Sequence, residues 1–354
     1  MRGNMNWSKK TLKMSTLVCA AALFSFMAGC GDSSSSPSQA GTDASASSDA
    51  PGSSASVDNP ESAASPENPG SSASEKTPST PATPQACPDA MQDPLIQFNR
   101  DPATAGISVA PDADGFYDMG DVYKAVPATD KIAFVIRHSK RQKNLGKESE
   151  LTPIGVQMAQ TLGSKLVSDE SFYYASTDFV RTRETCNNIA IGRGETDAEV
   201  VTWDGINGGY FLTVPSDTLD ALVSSKGGNQ KYIAQYAYDE IVAAPSFKDQ
   251  LVSYFQDFYP RGNQFVNEVI LANMSSWKRV SILVSHDMLV EPLIVFVSNR
   301  TIDLKIYQAD YRWANYLSGI AVISNDAGCV TVLPVRGDSV GWMINSQEVD
   351  ESVQ

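Results

Sequence analysis

Hydrophobic positions fall into three regimes along the 354-residue chain. Between Leu17 and Met27 they are almost continuous, behind Lys9, Lys10 and Lys13. That run is too short for a transmembrane helix and has the length of a signal-peptide core. Between Gly31 and Ala86 they nearly vanish into Ser, Ala, Pro, Gly and Thr with scattered acids. Such a segment cannot bury enough apolar surface to offset its ordering entropy, so it reads as a disordered tether. As a flexible coil it spans an r.m.s. distance of about 40 Å. Beyond a lead-in over 88–130, rich in Asp, Pro and Gly and expected to wrap the domain without building core, short apolar runs alternate with amphipathic stretches.

The first of those runs, Ile132 to Ile136, is bounded by polar residues and has the length of a buried strand. Thr152 can cap and Pro153 can open a helix. There Ile154, Met158, Leu162 and Leu166 recur every four residues as an amphipathic stripe. A strand over Phe172 to Ala175 leads to Asp178, a candidate cap for the next helix, with Arg181 three residues inward. Another strand, around Val200 to Trp203, precedes an aromatic-rich stretch over 204–277 that reads as helices. Then come a strand at 279–285, a helix over Val290 to Val297, and strands at Leu317–Ser324 and Cys329–Val335. Strands alternating with helices predict one compact α/β domain over 87–354, a mostly parallel sheet covered on both faces.

Charge narrows the function. Residues 87–354 hold 22 basic and 34 acidic side chains, a net of −12, which disfavours nucleic acid as a partner. Against that background Arg137, Lys140, Arg141, Lys143, Lys147, Arg181 and Arg183 concentrate positive charge. The three lysines read as solvated, and Arg183 as a surface or salt-bridge residue. Three cysteines remain once Cys19 leaves with the signal and Cys30 is set aside. Cys87 and Cys329, near the ends of the domain, are the expected disulfide, because Cys186 falls on a helix that looks core-facing. No metal-ligand spacing appears, and no cofactor is implied.

The chain has two histidines, and each follows an apolar run. His138 stands between Arg137 and Arg141; His286 is followed by Asp287. The carboxyl end of a strand is where open α/β sheets bind ligands. Guanidiniums hold phosphate oxygens in forks, and an imidazole, neutral through most of the physiological range, can attack phosphorus. Arg181, in the first turns of its helix, is placed to hold an anion.

Four segments in order carry a resemblance. RHSKR (137–141) resembles the RHG signature of the histidine phosphatase superfamily, in the RHxxR form of its acid phosphatase and phytase branch. ELTPIGVQMAQTLGSKL (150–166) resembles the family's LTxxGxxQ helix, STDFVRTRETC (176–186) the segment that supplies a further phosphate-binding arginine, and SHD (285–287) the element with the second histidine and the proton donor. Ser139 stands where the signature has glycine, and a Cβ there is expected to crowd the approach of backbone to phosphate.

The resemblance implies a phosphoglycerate mutase-like fold with a helical cap insertion over 204–277. It also implies hydrolysis of a small phosphomonoester through a phosphohistidine on His138. Arg137, Arg141, Arg181 and His286 then neutralise the phosphoryl charge, Asp287 is the proton donor, and an acidic optimum follows. Glu195 and Glu199 are the other donor candidates, after the mutase-like branch. From a different class, the same arginines suit a catalytically silent, lipid-anchored receptor for phosphorylated ligands. Ala28-Gly29-Cys30 resembles the lipobox of bacterial lipoproteins, which implies signal removal after residue 29, lipidation of Cys30 and export to a membrane surface.

Overall fold

The computed structural model describes residues 95–143 and 146–344, all within one compact unit, Thr77–Gln354. The signal segment, the tether, Cys30 and Cys87 lie outside the described residues. In chain order the elements are β1 (Tyr117–Asp118), α1 (Met119–Ala125), β2 (Lys131–Arg137), α2 (Pro153–Lys165), β3 (Tyr173–Ser176), α3 (Val180–Arg193) and β4 (Val200–Thr202). The 204–277 stretch follows with α4 (Ser216–Val223), α5 (Gly228–Ala237), α6 (Pro245–Val252) and α7 (Phe258–Gln264). A π-helical turn (Phe265–Leu271) carries α7 into the short α8 (Ala272–Met274). β5 (Val280–Ser285), α9 (Asp287–Val297), β6 (Arg312–Ala314), β7 (Ser318–Ser324), β8 (Val330–Arg336) and β9 (Trp342–Ile344) follow within the described residues.

Seven strands form one sheet in the order β1-β8-β7-β2-β5-β3-β4, parallel throughout except where β7 runs against its neighbours β8 and β2. β2 is central, and its composition shows why. Ile132, Phe134 and Ile136 enter the core under α1, α2 and α3, while Ala133 and Val135 enter the core under α9 and the 204–277 helices. A strand covered on both faces reads as an unbroken apolar run, and each fully buried aliphatic contributes about 1.5–3 kcal/mol.

Two expectations are corrected. The lead-in builds core: Ile96, Phe98, Phe116, Met119 and Val122 are buried, and Tyr117–Asp118 pairs with β8 as an edge strand. Isolated apolar residues among Asp, Pro and Gly carry no periodicity, yet these five are inserted, while Leu95 stays 47% exposed. On α2 the expected stripe holds at Leu162 and Leu166, which are buried, and at Met158, which packs against the core, but Ile154 is 46% exposed and Gly155, Ala159 and Gly163 join the inward face. The glycines set that face. A Cβ on Gly163 would lie 2.2 Å from the Ile189 carbonyl of α3, so the two helices approach more closely than any side-chain stripe allows.

Cys186 is buried on α3, its thiol donating to the Ala175 carbonyl at 3.4 Å. Cys329 is disulfide-bonded, and Cys87, its expected partner, lies outside the described residues. Among the described residues no helix is long and apolar enough to cross a membrane.

Candidate active site

β2 and β5 are parallel and in register, with Arg137 opposite Ser285. The next residue of each chain segment is a histidine, so the two imidazoles emerge side by side at the carboxyl edge of the sheet. The His138 amide donates to the Ser285 carbonyl at 3.0 Å, and the ring centroids are 5.6 Å apart, edge to face. β3, next to β5, delivers Thr177 to the same edge, and α3 then starts with Arg181 in its first turn. Phe179 occupies the cap position of α3 without a side-chain bond. The expected cap, Asp178, is instead paired with Lys147 on the surface.

His138 is 2% exposed, and its Nδ1 lies 2.7 Å from the Ser139 carbonyl. A carbonyl only accepts, so Nδ1 carries the hydrogen and Nε2 presents its lone pair. Burial, reinforced by Arg137, His286 and Arg181, holds the ring's pKa well below the ordinary 6.5 and keeps it neutral. Ser139 does not obstruct this arrangement. Its hydroxyl donates to the Gly155 carbonyl at 2.7 Å and its amide to Thr185 Oγ1 at 2.9 Å, so the side chain is turned into α2. Gly155 permits the approach, since a Cβ there would meet the Lys140 carbonyl at 1.9 Å. Thr152 caps α2 as the sequence predicts, bonding Gly155 N at 3.1 Å, and its own amide donates to Lys140.

His286 is oriented by a directed chain of hydroxyls. Arg181 Nη2 lies 3.3 Å from Nδ1, and a guanidinium only donates, so Nδ1 is the acceptor and Nε2 carries the hydrogen. Nε2–H then donates to Thr177 Oγ1 at 2.9 Å. Thr177 donates in turn to Thr182 Oγ1 at 2.9 Å, and Thr182 to the Phe179 carbonyl at 2.7 Å. Phe179 packs edge-on against the imidazole at 4.6 Å and under the Arg181 guanidinium at 4.3 Å. Burial, then Arg181, pushes the His286 pKa down to about 3 despite the Asp287 charge.

The three arginines meet around these rings. Arg137 is buried, with Nη1 donating to the Ala314 carbonyl at 2.7 Å, Nη2 3.4 Å from Asp287 Oδ2, and the guanidinium 4.4 Å over the Tyr316 ring. Arg181 also donates to the Gly146 carbonyl at 2.9 Å, and burial with the Arg141 charge brings its pKa down to about 10. Arg141 lies where 140–142 pairs with 150–152, and its charge is felt by both His286 and Arg181. Arg183 points away and donates to Thr202. Of the lysines read as solvated, Lys143 and Lys147 are exposed, but Lys140 is only 8% exposed. Its backbone anchors the start of α2, which draws the residue inward.

Asp287 is the first residue of α9, which starts three residues earlier than the apolar pattern suggests. Its Oδ2 accepts from Gln230 Nε2 at 2.9 Å and Trp313 Nε1 at 3.0 Å and faces Arg137; Oδ1 accepts from Met288 N at 3.0 Å. Burial alone raises a carboxyl, but Arg137, Trp313 and Gln230 together hold this one well below the usual carboxylate range. Glu195 and Glu199 lie elsewhere. Glu195 accepts from Tyr174 at 3.0 Å and from Phe172 N, just before β3, and Glu199 precedes β4, so both sit at the sheet's opposite edge.

All six predicted residues, Arg137, His138, Arg141, Arg181, His286 and Asp287, therefore share one electrostatic field. Sequence reasoning missed Thr177, Thr182, Gln230, Trp313 and Tyr316. The threonines were visible inside STDFVRTRETC as hydroxyls flanking Arg181. Gln230 on α5 and Trp313 on β6 carry no local signal, because only the packing of 204–277 and of the β6–β9 ribbon brings them to Asp287.

No protein-family model matches the chain, and no curated protein does. Several solved structures are similar. A phosphoglycerate mutase from Bacillus anthracis is 17% identical with a TM-score of 0.37, over 64% of this chain and 98% of that one. A histidine-to-alanine mutant of phosphoserine phosphatase from Entamoeba histolytica, in complex with phosphoserine, is 13% identical with a TM-score of 0.38, over 62% and 98%. A mycobacterial glucosyl-3-phosphoglycerate phosphatase is 15% identical with a TM-score of 0.36, over 59% and 100%. At such identities and scores the chemistry has to be read from this chain's own residues.

Proposed function

We propose that this protein hydrolyses phosphomonoesters through a phosphohistidine formed on His138, as a member of the histidine phosphatase superfamily's acid phosphatase-like branch. The observation that carries the reading is the 2.7 Å contact from His138 Nδ1 to the Ser139 carbonyl, which leaves a neutral Nε2 lone pair in a ring of guanidiniums. Nε2 attacks phosphorus, the bond to the leaving oxygen breaks, and Asp287 gives that oxygen a proton. Water then attacks the phosphohistidine, returns a proton to Asp287 and releases phosphate. Arg137, Arg141 and Arg181 hold the equatorial oxygens, where the transition-state charge is spread.

Burial and a cationic resting field together hold both imidazoles neutral, and the field holds Asp287 ionised. A dianionic phosphate reverses that field. His286 can then take a proton on Nδ1 and donate to the phosphoryl group, and the Asp287 pKa rises toward the range a general acid needs. The chain is, in this reading, exported, with Cys30 lipidated and the domain held off a membrane by the 31–86 tether.

The test is a panel of alkyl and aryl phosphomonoesters given to the full chain between about pH 4 and pH 8, without added metal. Hydrolysis strongest on the acid side supports the reading. Tight binding of phosphate with no turnover of any ester would replace it with the silent receptor.

A further inference from the structure

Four residues beyond Asp287, on the same face of α9, the Glu291 side chain is fully buried, and neither of its carboxyl oxygens has a hydrogen-bond partner. Helix residues at that spacing lie about 5–6 Å apart at Cβ. An unpaired ionised carboxylate in such surroundings is far more costly than a neutral acid, so Glu291 keeps its proton. Burial and the Asp287 charge both push its pKa well above the usual value. Pro292 follows immediately and lacks the N–H that an unbroken helix offers the Met288 carbonyl, so the backbone between the two carboxyls is open on one side.

The groups around Glu291 do not neutralise it. On α5 and at its end stand Tyr236, whose buried hydroxyl also has no partner, and Tyr238, which donates to the Ile302 carbonyl at 2.5 Å. Tyr307 donates to Glu240 at 2.5 Å. All three phenols lie within electrostatic reach of the Glu291 carboxyl, and none is a cation that could pair with it if it ionised. The cations of the packed elements are engaged elsewhere: Arg261 of α7 with Tyr210 O and Gln264, Arg300 with Ala237 O, Lys131 of β2 with the 274–277 carbonyls, Arg312 of β6 with Asp310, and Arg336 of β8 with Asp112. Arg137 faces Asp287.

Two adjacent carboxyls thus sit in opposite states. Asp287 is ionised and held by three donors, although the leaving-group step requires a proton on it; Glu291 holds a proton that no neighbour accepts. We propose that Glu291 stores the proton that Asp287 delivers to the leaving group, acting through Asp287 and never touching substrate. The proposal rests on the reading of Asp287 as proton donor. As phosphate binding offsets the Arg137 charge, the Glu291 proton passes to Asp287 and on to the departing alkoxide, whose far greater basicity offsets the cost of leaving Glu291 ionised until water attacks. The water that later attacks the phosphohistidine returns one proton along the same path, so the pair ends the cycle as it began.

The test uses the full chain. Infrared difference spectra of wild type and Glu291→Gln near neutral pH should show a protonated-carboxyl stretch that the variant lacks. In the pH profile for an alkyl phosphate, Glu291→Gln should lose about 10-fold or more in kcat near neutrality, with KM unchanged, and recover toward acid pH as solvent protonates Asp287 directly. Its rate on a nitrophenyl ester should stay within about 2-fold of wild type. Asp287→Asn removes the adjacent charge and should let Glu291 ionise at lower pH, which keeps the idea testable if Glu291→Gln folds poorly. Superimposable pH profiles, a missing carboxyl band or an unshifted band in Asp287→Asn would each overturn the proposal. A wild type with the band but no turnover would overturn the delivery step through failure of the phosphatase reading, and the band distinguishes that from failure at Glu291.

Discussion

His138 and His286 lie edge to face, 5.6 Å between centroids at 66°, because Arg137 and Ser285 are partners in the β2–β5 ladder. Strand pairing, and no loop, brings the rings together. A slip of one residue in that register would send alternate side chains to the wrong face and bury Ala133 and Val135 in the opposite core, so the core itself guards the geometry. Polar anchors then fix each ring: one backbone carbonyl for His138, and a run of threonine hydroxyls for His286.

Asp287→Asn should separate the half-reactions. The amide keeps the contacts' shape but has no proton for an alkoxide and takes none from water. Loss on alkyl phosphates is expected to be about 10²-fold or more, and smaller on a nitrophenyl ester, whose leaving group needs little help. Phosphoenzyme should accumulate with the aryl ester. Rapid-quench kinetics with both ester types measures this, and equal losses without accumulation would remove Asp287 from the role.

Gln230→Ala should move the pH profile. Gln230 donates to the ionised Asp287 at 2.9 Å, so its loss raises the Asp287 pKa. At a given pH more Asp287 is then protonated, and the alkaline limb for alkyl esters should shift upward. One net hydrogen bond of about 1 kcal/mol corresponds to roughly 0.7 pH unit. Trp313→Phe should act in the same direction. Profiles that do not move would mean that these contacts hold the 204–277 helices in place without tuning the carboxyl.

The neutral histidines should make the fold acid-sensitive. The His286 pKa is near 3 in the fold, against an ordinary 6.5. Between those values the unfolded chain binds a proton that the fold refuses. The stability is therefore complete above the ordinary value and declines as pH falls toward the folded one. At about pH 5 the loss from His286 is about 2 kcal/mol, and His138 adds in the same sense. Thermal melts should show a larger drop from neutral to pH 5 for wild type than for His286→Asn. Saturating inorganic phosphate should shrink the wild-type drop by allowing the ring to protonate.

Much of this was legible in the chain. Ile132–Ile136, the strand before His286 and the capped start at Thr152 are local patterns, and local patterns place the two histidines and Arg181 at one edge. What escaped depends on distant packing. Glycines 155 and 163, which define the inward face of α2, contribute no hydrophobic signal. Lys140 has an ordinary surface composition and is buried by the backbone it anchors. Gln230, Trp313 and Glu291 gain their meaning only from standing beside Asp287, and no spacing in the sequence records that.

The most direct measurement is the site of phosphorylation. Full chain mixed with a radiolabelled aryl phosphate and quenched in alkali, which preserves phosphohistidine, should carry label on His138 at Nε2. His138→Ala should carry none and turn over nothing while melting like wild type, and His286→Ala should label slowly. Label on any other residue, or turnover surviving in His138→Ala, would contradict the account.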